Sequence, residues 1–246
     1  MTPTTMLECN NRMSVNILFS GGYDSTLLLC KAVNLYHDIN LITVDPSFII
    51  GKAARERQAR DNIIDVIRAA SDDCDIRVSN ITIDISDSYY TDSSYLVQPL
   101  FWLPSIFVMT KRDKDAVVQI GYICGDQALT HINEFNKMAD AVSKFKDKEL
   151  HVVFPLAYSS KEAVLEELFT HHREVIDLCT TCESDEEADY CGECTTCKNI
   201  IKTLKSIAAD DHYDMEFRKW AVDKLKLYDI DASILLSLHF RIKSEA

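Results

Sequence analysis

The sequence predicts an α/β protein built on a doubly wound parallel sheet, with a C-terminal metal-type segment and a helical tail. Three observations carry the prediction. Short apolar runs alternate with longer amphipathic stretches between residues 14 and 178, the pattern of strand–helix–strand units. The first apolar run ends in a glycine-rich turn that leads directly into a helical pattern. Hydrophobic residues make up 47% of the 246 residues, while Gly and Pro number only 6 and 5, which suits a packed core and excludes a disordered or fibrous chain.

Taken in order, Val15 to Phe19 (VNILF) reads as a buried strand, followed by SGGYDS at residues 20–25 and a helix to about Tyr36. Ile39 to Val44 (INLITV) is a second strand that ends in Asp45-Pro46. A helix over Lys52 to Ala70 precedes a β-rich stretch from Ile76 to Ile85. Residues 93–110 have a helical pattern interrupted by Pro99 and Pro104, which must break or kink it. Ala116 to Ile123 is a further strand, His131 to Phe145 a helix, Leu150 to Phe154 a last strand and Lys161 to His171 a helix. Beyond Cys197 the pattern is all-helical, over Ile200–Ala209, Met215–Leu227 and Ile230–Arg241. The resulting organisation is an N-terminal extension (1–13), an α/β domain (14–178), a cysteine segment (179–198) and a helical tail (199–246), the last two as appendages.

Composition removes several classes of function. A net charge of −13 argues against nucleic acid as a partner, because a non-specific nucleic-acid surface needs a basic field. Only the stretch Lys52 to Arg60 (KAARERQAR) is locally basic. No run of about 18 apolar residues is present, so no membrane span is expected. The N-terminal MTPTTMLECNNRM lacks an apolar signal core, so a cytoplasmic location is expected.

Doubly wound sheets bind ligands beyond the carboxyl ends of their strands, and residues 20–25 lie at such an end. Gly21 and Gly22 allow close approach of backbone N–H groups, and the following helix offers its partly positive N-terminus to an anion. Ser20 and Ser25 add hydroxyls, and Asp24 can cap the helix or help to place a metal. The turn is neither GxxxxGK[ST] nor GxGxxG.

Five of the nine cysteines fall between residues 179 and 197, in CTTCESDEEADYCGECTTC. CxxC pairs supply two thiolates from one turn of backbone, and four thiolates suit a closed tetrahedral zinc site that braces structure. Cys191, Cys194 and Cys197 are three of the ligands, and the fourth is Cys182 or Cys179. An unliganded group of thiols and a redox dithiol are the alternatives.

SGGYDS resembles the SGGxDS signature of the PP-loop ATP pyrophosphatases, whose loop wraps the ATP phosphates. The spacing from Cys182 (C-x8-C-x2-C-x2-C), with Thr181-Cys182 and Cys191-Gly192-Glu193-Cys194, is similar to the zinc motif of the QueC family, the 7-cyano-7-deazaguanine synthases. Pro155-Leu156 with Lys161-Glu162 resembles the same family's PL…KxE element. The resemblance spans roughly 15–198. It implies Cys182 as the fourth zinc ligand, with Cys179 a spare thiol. ATP would be held by Ser20, Gly21, Gly22, Asp24 and Ser25, with Lys161 on the phosphates and Asp45 either beside the adenosine or a turn residue. An arginine of the Arg55-Glu56-Arg57 stretch would neutralise phosphate or lie on a solvated helix face.

The family's acceptor motif is only partly present. Within Gly121 to Gln127 Asp126 matches, and the Glu134-Phe135 end is recognisable, but the Pro-Asp-Cys-Arg centre is missing, two residues are deleted, and His131 and Asn133 occupy the region. Asp126 is then either a purine-edge acceptor or a turn acid, and His131 an acid/base candidate; Cys124 reads as a buried small hydrophobe. The expectation is an ATP- and Mg²⁺-dependent adenylate-forming C–N ligase with a zinc site, acting on a small deazaguanine-type carboxylate. A larger acceptor amine, even one on a protein as in antiviral operons, is the alternative acceptor. A non-catalytic nucleotide-binding module is the alternative from another class, and a tRNA-thiolating enzyme would want a basic surface that this chain lacks. The tail either packs on the domain or forms a homodimer or partner-protein surface.

Overall fold

The computed structural model describes residues 14–46, 50–71, 74–83, 115–147, 149–184, 190–228, 230 and 232–244. The expected N-terminal extension and the helix at 93–110 lie outside the described residues. Five strands form one parallel sheet: β1 (Ser14–Leu18), β2 (Asp38–Pro46), β3 (Asp75–Ile83), β4 (Asp115–Gln119) and β5 (Glu149–Val153), in the order β3-β2-β1-β4-β5. The helices are α1 (Tyr23–Val33), α2 (Ile50–Ala70), α3 (Ile132–Lys146), α4 (Lys161–His171), α5 (Arg173–Ile176), α6 (Thr195–Ala209), α7 (Met215–Leu225) and α8 (Ala232–Ser244). With β2 on one side of β1 and β4 on the other, the winding reverses at β1. The crevice beyond its carboxyl end is the ligand position of such sheets.

Strands covered on both faces need apolar residues at successive positions, and Val15, Ile17, Ile39, Leu41 and Ile42 are all fully buried. The polar exceptions satisfy one another. The Asn16 amide donates to the Val117 carbonyl at 3.0 Å and accepts from Asn40 at 3.1 Å, and Ser79 donates to Asn40 at 2.9 Å. This ladder joins four strands through the sheet's interior and leaves those amides paired.

The two faces carry separate cores. One is built on Ile42, Val118, Leu150 and the α3 residues Phe135 and Val142. The other unites β1, α1, α2 and α4 with Leu204 and Ile207 of α6 and Phe217 and Trp220 of α7. The tail, expected as an appendage, therefore shares the main core. Phe217 stacks on Trp220 and Phe169 packs tilted against both, at 5.0 to 5.8 Å between centroids, Arg173 lies 4.0 Å over Phe169, and Trp220 Nε1 donates to Asp177 at 2.9 Å. Leu227, Ile234 and Leu236 of the tail remain exposed.

Two boundaries differ from expectation in a way that matters for the site. β4 stops at Gln119, and residues 120–126 leave the sheet as a loop tied by Ile120 N–H to the Val153 carbonyl and Cys124 N–H to the Ser159 carbonyl. Cys124 is exposed there and not buried. β2 runs on to Pro46, so Asp45 is a strand residue rather than part of a turn. Among the described residues no helix is long and apolar enough to cross a membrane.

Candidate functional site

A cleft of about 310 Å³ opens at the winding reversal, between the carboxyl ends of β1, β2 and β4 and the cysteine segment. Its floor is the glycine turn. Gly21 has φ +83°, a conformation in which an L side chain is strained, and a Cβ there would lie 3.1 Å from Arg60 Cγ. Gly22 is the N-cap of α1 in extended conformation with no side-chain cap, so Asp24 does not serve as the helix cap. The serines brace the turn from within. Ser25 Oγ donates to the Gly22 carbonyl at 3.2 Å and accepts the Ser20 N–H at 3.3 Å, and Ser20 Oγ accepts the Gly22 N–H at 3.3 Å. Backbone amides at the uncapped end of an eleven-residue helix form a ready anion cradle.

Lys161 opens α4, whose N-cap Ser160 accepts the Ala163 N–H at 3.2 Å. Its Nζ reaches across to Asp24, at 2.7 and 2.5 Å from the two carboxylate oxygens. One cation thus hangs over the glycine turn, 137 residues away in sequence. Gly121 makes this juxtaposition fit, because a Cβ there would press on the Asp24 and Ser25 backbone at 3.1 Å. Asp126 also lines the cleft; its Oδ2 accepts the Ile123 N–H at 2.8 Å, the work of a turn acid, while burial raises its carboxyl above the usual range. His131 stands apart: it is exposed at the end of the 3-10 turn Gln127–His131, its ring 6.5 Å from Phe135, and it does not line the cleft.

Asp45 is likewise turned away from the cleft. It is 2% exposed and binds Arg60 at 2.5 Å, Arg57 at 2.9 Å and Asn80 at 3.3 Å. Burial alone would raise its carboxyl; the two guanidinium groups and the amide outweigh it and hold the group below its ordinary range. Arg57 and Arg60 are committed to this carboxylate, and Arg55 donates to the Ser184 carbonyl, so the arginines of α2 brace structure. On the same helix Lys52 and Glu56 do face the cleft. Neither was singled out from sequence as a site residue, although the i, i+4 spacing of Lys52, Glu56 and Arg60 on one helix face was a signal that could have found them.

The four sulfurs of Cys182, Cys191, Cys194 and Cys197 lie within 4.8 Å of one another, while Cys179 packs in the core and donates to the Val175 carbonyl. A single tetrahedral ion with bonds of about 2.3 Å spaces its sulfurs about 3.8 Å apart, so the group fits one such ion. Although burial opposes it, the N–H groups of Cys194 and Glu193 and the neighbouring thiols bring Cys191 down to about 7. Cys194 also caps α6, its side chain accepting the Cys197 N–H. Burial instead pushes Cys179 up to about 12, the mark of an inert thiol.

The cysteine segment is one wall of the cleft. The Thr180 N–H donates to the Gly21 carbonyl at 3.1 Å, and Thr180, Thr181, Thr196 and Asn199 line the opening. Sequence reasoning missed these four, because hydroxyl and amide residues beside cysteines carry no pattern of their own.

No family model matches this chain, and no curated protein does. Among solved structures the chain is similar to the U34-tRNA thiolase NcsA from Methanococcus maripaludis with its [4Fe-4S] cluster, at 14% identity and a TM-score of 0.40, over 96% of this chain and 73% of that one. That likeness is too loose to carry a conclusion, and the parallel α/β fold stands on the sheet itself.

Proposed function

We propose that this protein is an ATP-dependent adenylate-forming enzyme of the PP-loop kind, resembling the QueC family, that activates a deazaguanine-type carboxylate for attack by nitrogen. The observation that carries the reading is the SGGYDS turn at the winding reversal, with an uncapped helix end below it and Lys161 above it.

In this reading the N–H groups of residues 21–25 and the Ser20 and Ser25 hydroxyls hold the phosphate chain. Lys161 leaves Asp24 to pair with the β- and γ-phosphates, a point charge on the developing pyrophosphate. Mg²⁺, when bound with ATP, offsets phosphate charge, and Asp24, freed from Lys161, would hold it. The substrate carboxylate attacks the α-phosphorus and the bond to the bridging oxygen of the β-phosphate breaks, giving acyl-adenylate and pyrophosphate. The amine nitrogen then attacks the acyl carbon, AMP departs with the bonding pair, and the nitrogen loses a proton. With ammonia the first product is an amide, which a second ATP dehydrates to a nitrile in the QueC reaction. No covalent enzyme nucleophile is required, so catalysis is chiefly positioning and electrostatics. We propose Zn²⁺ for the four thiols, with no open position for Lewis-acid chemistry, in a bracing role.

A larger acceptor amine is favoured by one observation at the β4 side: the stretch from Asp126 to Phe135 lacks the Pro-Asp-Cys-Arg centre of the family's acceptor motif. Asp126 and His131 are the residues proposed for the acceptor side, Asp126 in the cleft and His131 on the exposed turn that follows it.

Mass spectrometry of a reaction containing the zinc-loaded protein, Mg-ATP, 7-carboxy-7-deazaguanine and ammonium tests the reading, with AMP and pyrophosphate followed in parallel. A nitrile supports the synthase. AMP with an adenylate or amide supports the changed acceptor, and no substrate-dependent AMP refutes the deazaguanine assignment.

A further inference from the structure

Buried polar groups are normally hydrogen-bonded, and an exception in a cleft wall invites a ligand. Glu56, half-buried in the cleft wall, is a partial case of this kind. Its side chain is 16% exposed and it lines the cleft. Its two oxygens face Lys52 Nζ and Arg60 Nη1, each at 3.7 Å, too far for hydrogen bonds, and no other described residue bonds them. Arg60 Nη1 is itself buried with no hydrogen-bond partner, while the rest of that guanidinium is spent on Asp45.

The charge balance decides what fits there. Lys52 and Arg60 face the Glu56 carboxylate while Asp45 and Glu183 add negative charge beside it, so the charges are already nearly balanced, and a neutral group with two O–H donors would satisfy both carboxylate oxygens without disturbing that balance. A ribose cis-diol is such a group. Position agrees. Lys161 draws the phosphate chain toward the β4 side of the glycine turn, leaving the nucleoside for the β2 side, where Leu18 and Val44 line the same cleft as Glu56.

We infer that Glu56 accepts the ribose 2′- and 3′-hydroxyls and makes the cleft selective for ribonucleotides over deoxyribonucleotides. This rests on the reading of the cleft as an ATP site. The end of β2 would offer an acid for the same purpose in dinucleotide-binding sheets, but here that acid, Asp45, is consumed by arginines.

The test is calorimetric titration of the full-length, metal-loaded protein with ATP, 2′-deoxy-ATP and 3′-deoxy-ATP. ATP is expected to bind about tenfold or more tightly than either deoxynucleotide, the worth of one hydrogen bond to a charged group. Glu56→Ala should bring the three affinities together mainly by weakening ATP, and Glu56→Gln should retain part of the preference. Equal affinities in the wild-type protein overturn the inference without any variant, as does a preference unchanged in Glu56→Ala. Failure of all three nucleotides to bind overturns the ATP reading and this inference with it; tight but unselective binding overturns this inference alone.

Discussion

Replacing Asp45 with Asn tests whether this acid serves structure or ligand. The change keeps shape and removes the charge that neutralises Arg60, whose side chain is 4% exposed. Losing one partner of a buried pair costs about 3–5 kcal/mol, because the other charge stays buried. Arg57 adds little, since it is 57% exposed and its ion pair is screened by solvent. Glu56, 3.7 Å from Arg60 Nη1, offsets part of the loss, so the lower figure of about 3 kcal/mol is expected. For a chain of this length that is a fall in Tm of roughly 6–12 °C, at about 2–4 °C per kcal/mol. Urea unfolding followed by circular dichroism should show a midpoint lowered by about 1 M with the slope unchanged.

The pH dependence has a definite sign. Asp45 is held below its ordinary range in the folded protein, so its contribution is complete above the unfolded value, near 3.9, and fades as pH falls through the folded one. The wild-type advantage over Asp45→Asn should therefore be constant from pH 7 to about 5 and shrink below about 4. A loss under about 1 kcal/mol at pH 7, accompanied by weakened ATP binding, would refute the structural role and restore Asp45 to the adenosine.

Gly21→Ala should cost about 1–2 kcal/mol from its left-handed backbone, with further strain against Arg60 Cγ, and weaken ATP binding in titration. Lys161→Met should weaken ATP binding about tenfold or more and flatten its dependence on salt, while the melting temperature moves little because the Lys161–Asp24 pair is partly exposed. Elemental analysis should find one metal ion per chain in the wild type and in Cys179→Ser but little in Cys182→Ser, and an absorption spectrum without charge-transfer bands would distinguish zinc from an iron–sulfur cluster. Trp220→Phe should destabilise by about 1 kcal/mol in urea unfolding through loss of the Asp177 hydrogen bond.

Much of the fold was legible from local pattern. Mostly apolar runs such as Val15–Leu18 and Ile39–Val44, interrupted only by Asn16, Asn40 and Thr43, announce strands covered on both faces, and the helices between them follow from spacing. Ser160 before Lys161 and Gly22 before Tyr23 mark helix starts in the chain itself. The boundary at β4 was harder to read, because Ile120 and Ile123 are apolar enough to extend a strand. They are buried in a loop instead, held by backbone bonds to residues 153 and 126.

At the candidate site the division is between short and long range. The glycine turn, the thiol spacing and the strand–helix alternation are set within a few residues of chain, where backbone sterics and periodicity act, and no distant contact is needed to specify them. The tertiary structure decided which charges meet. Asp45 could have faced a nucleotide, yet Arg57 and Arg60 turn it inward. Glu56 could have lain on a solvated helix face, yet it lines the cleft. The cysteine segment could have stood apart, yet Thr180 bonds Gly21 and makes it a wall of that cleft. Such pairings depend on which surfaces the sheet and core bring within a few ångströms, and electrostatic and hydrogen-bond energies fall off over that distance, so no local pattern encodes them.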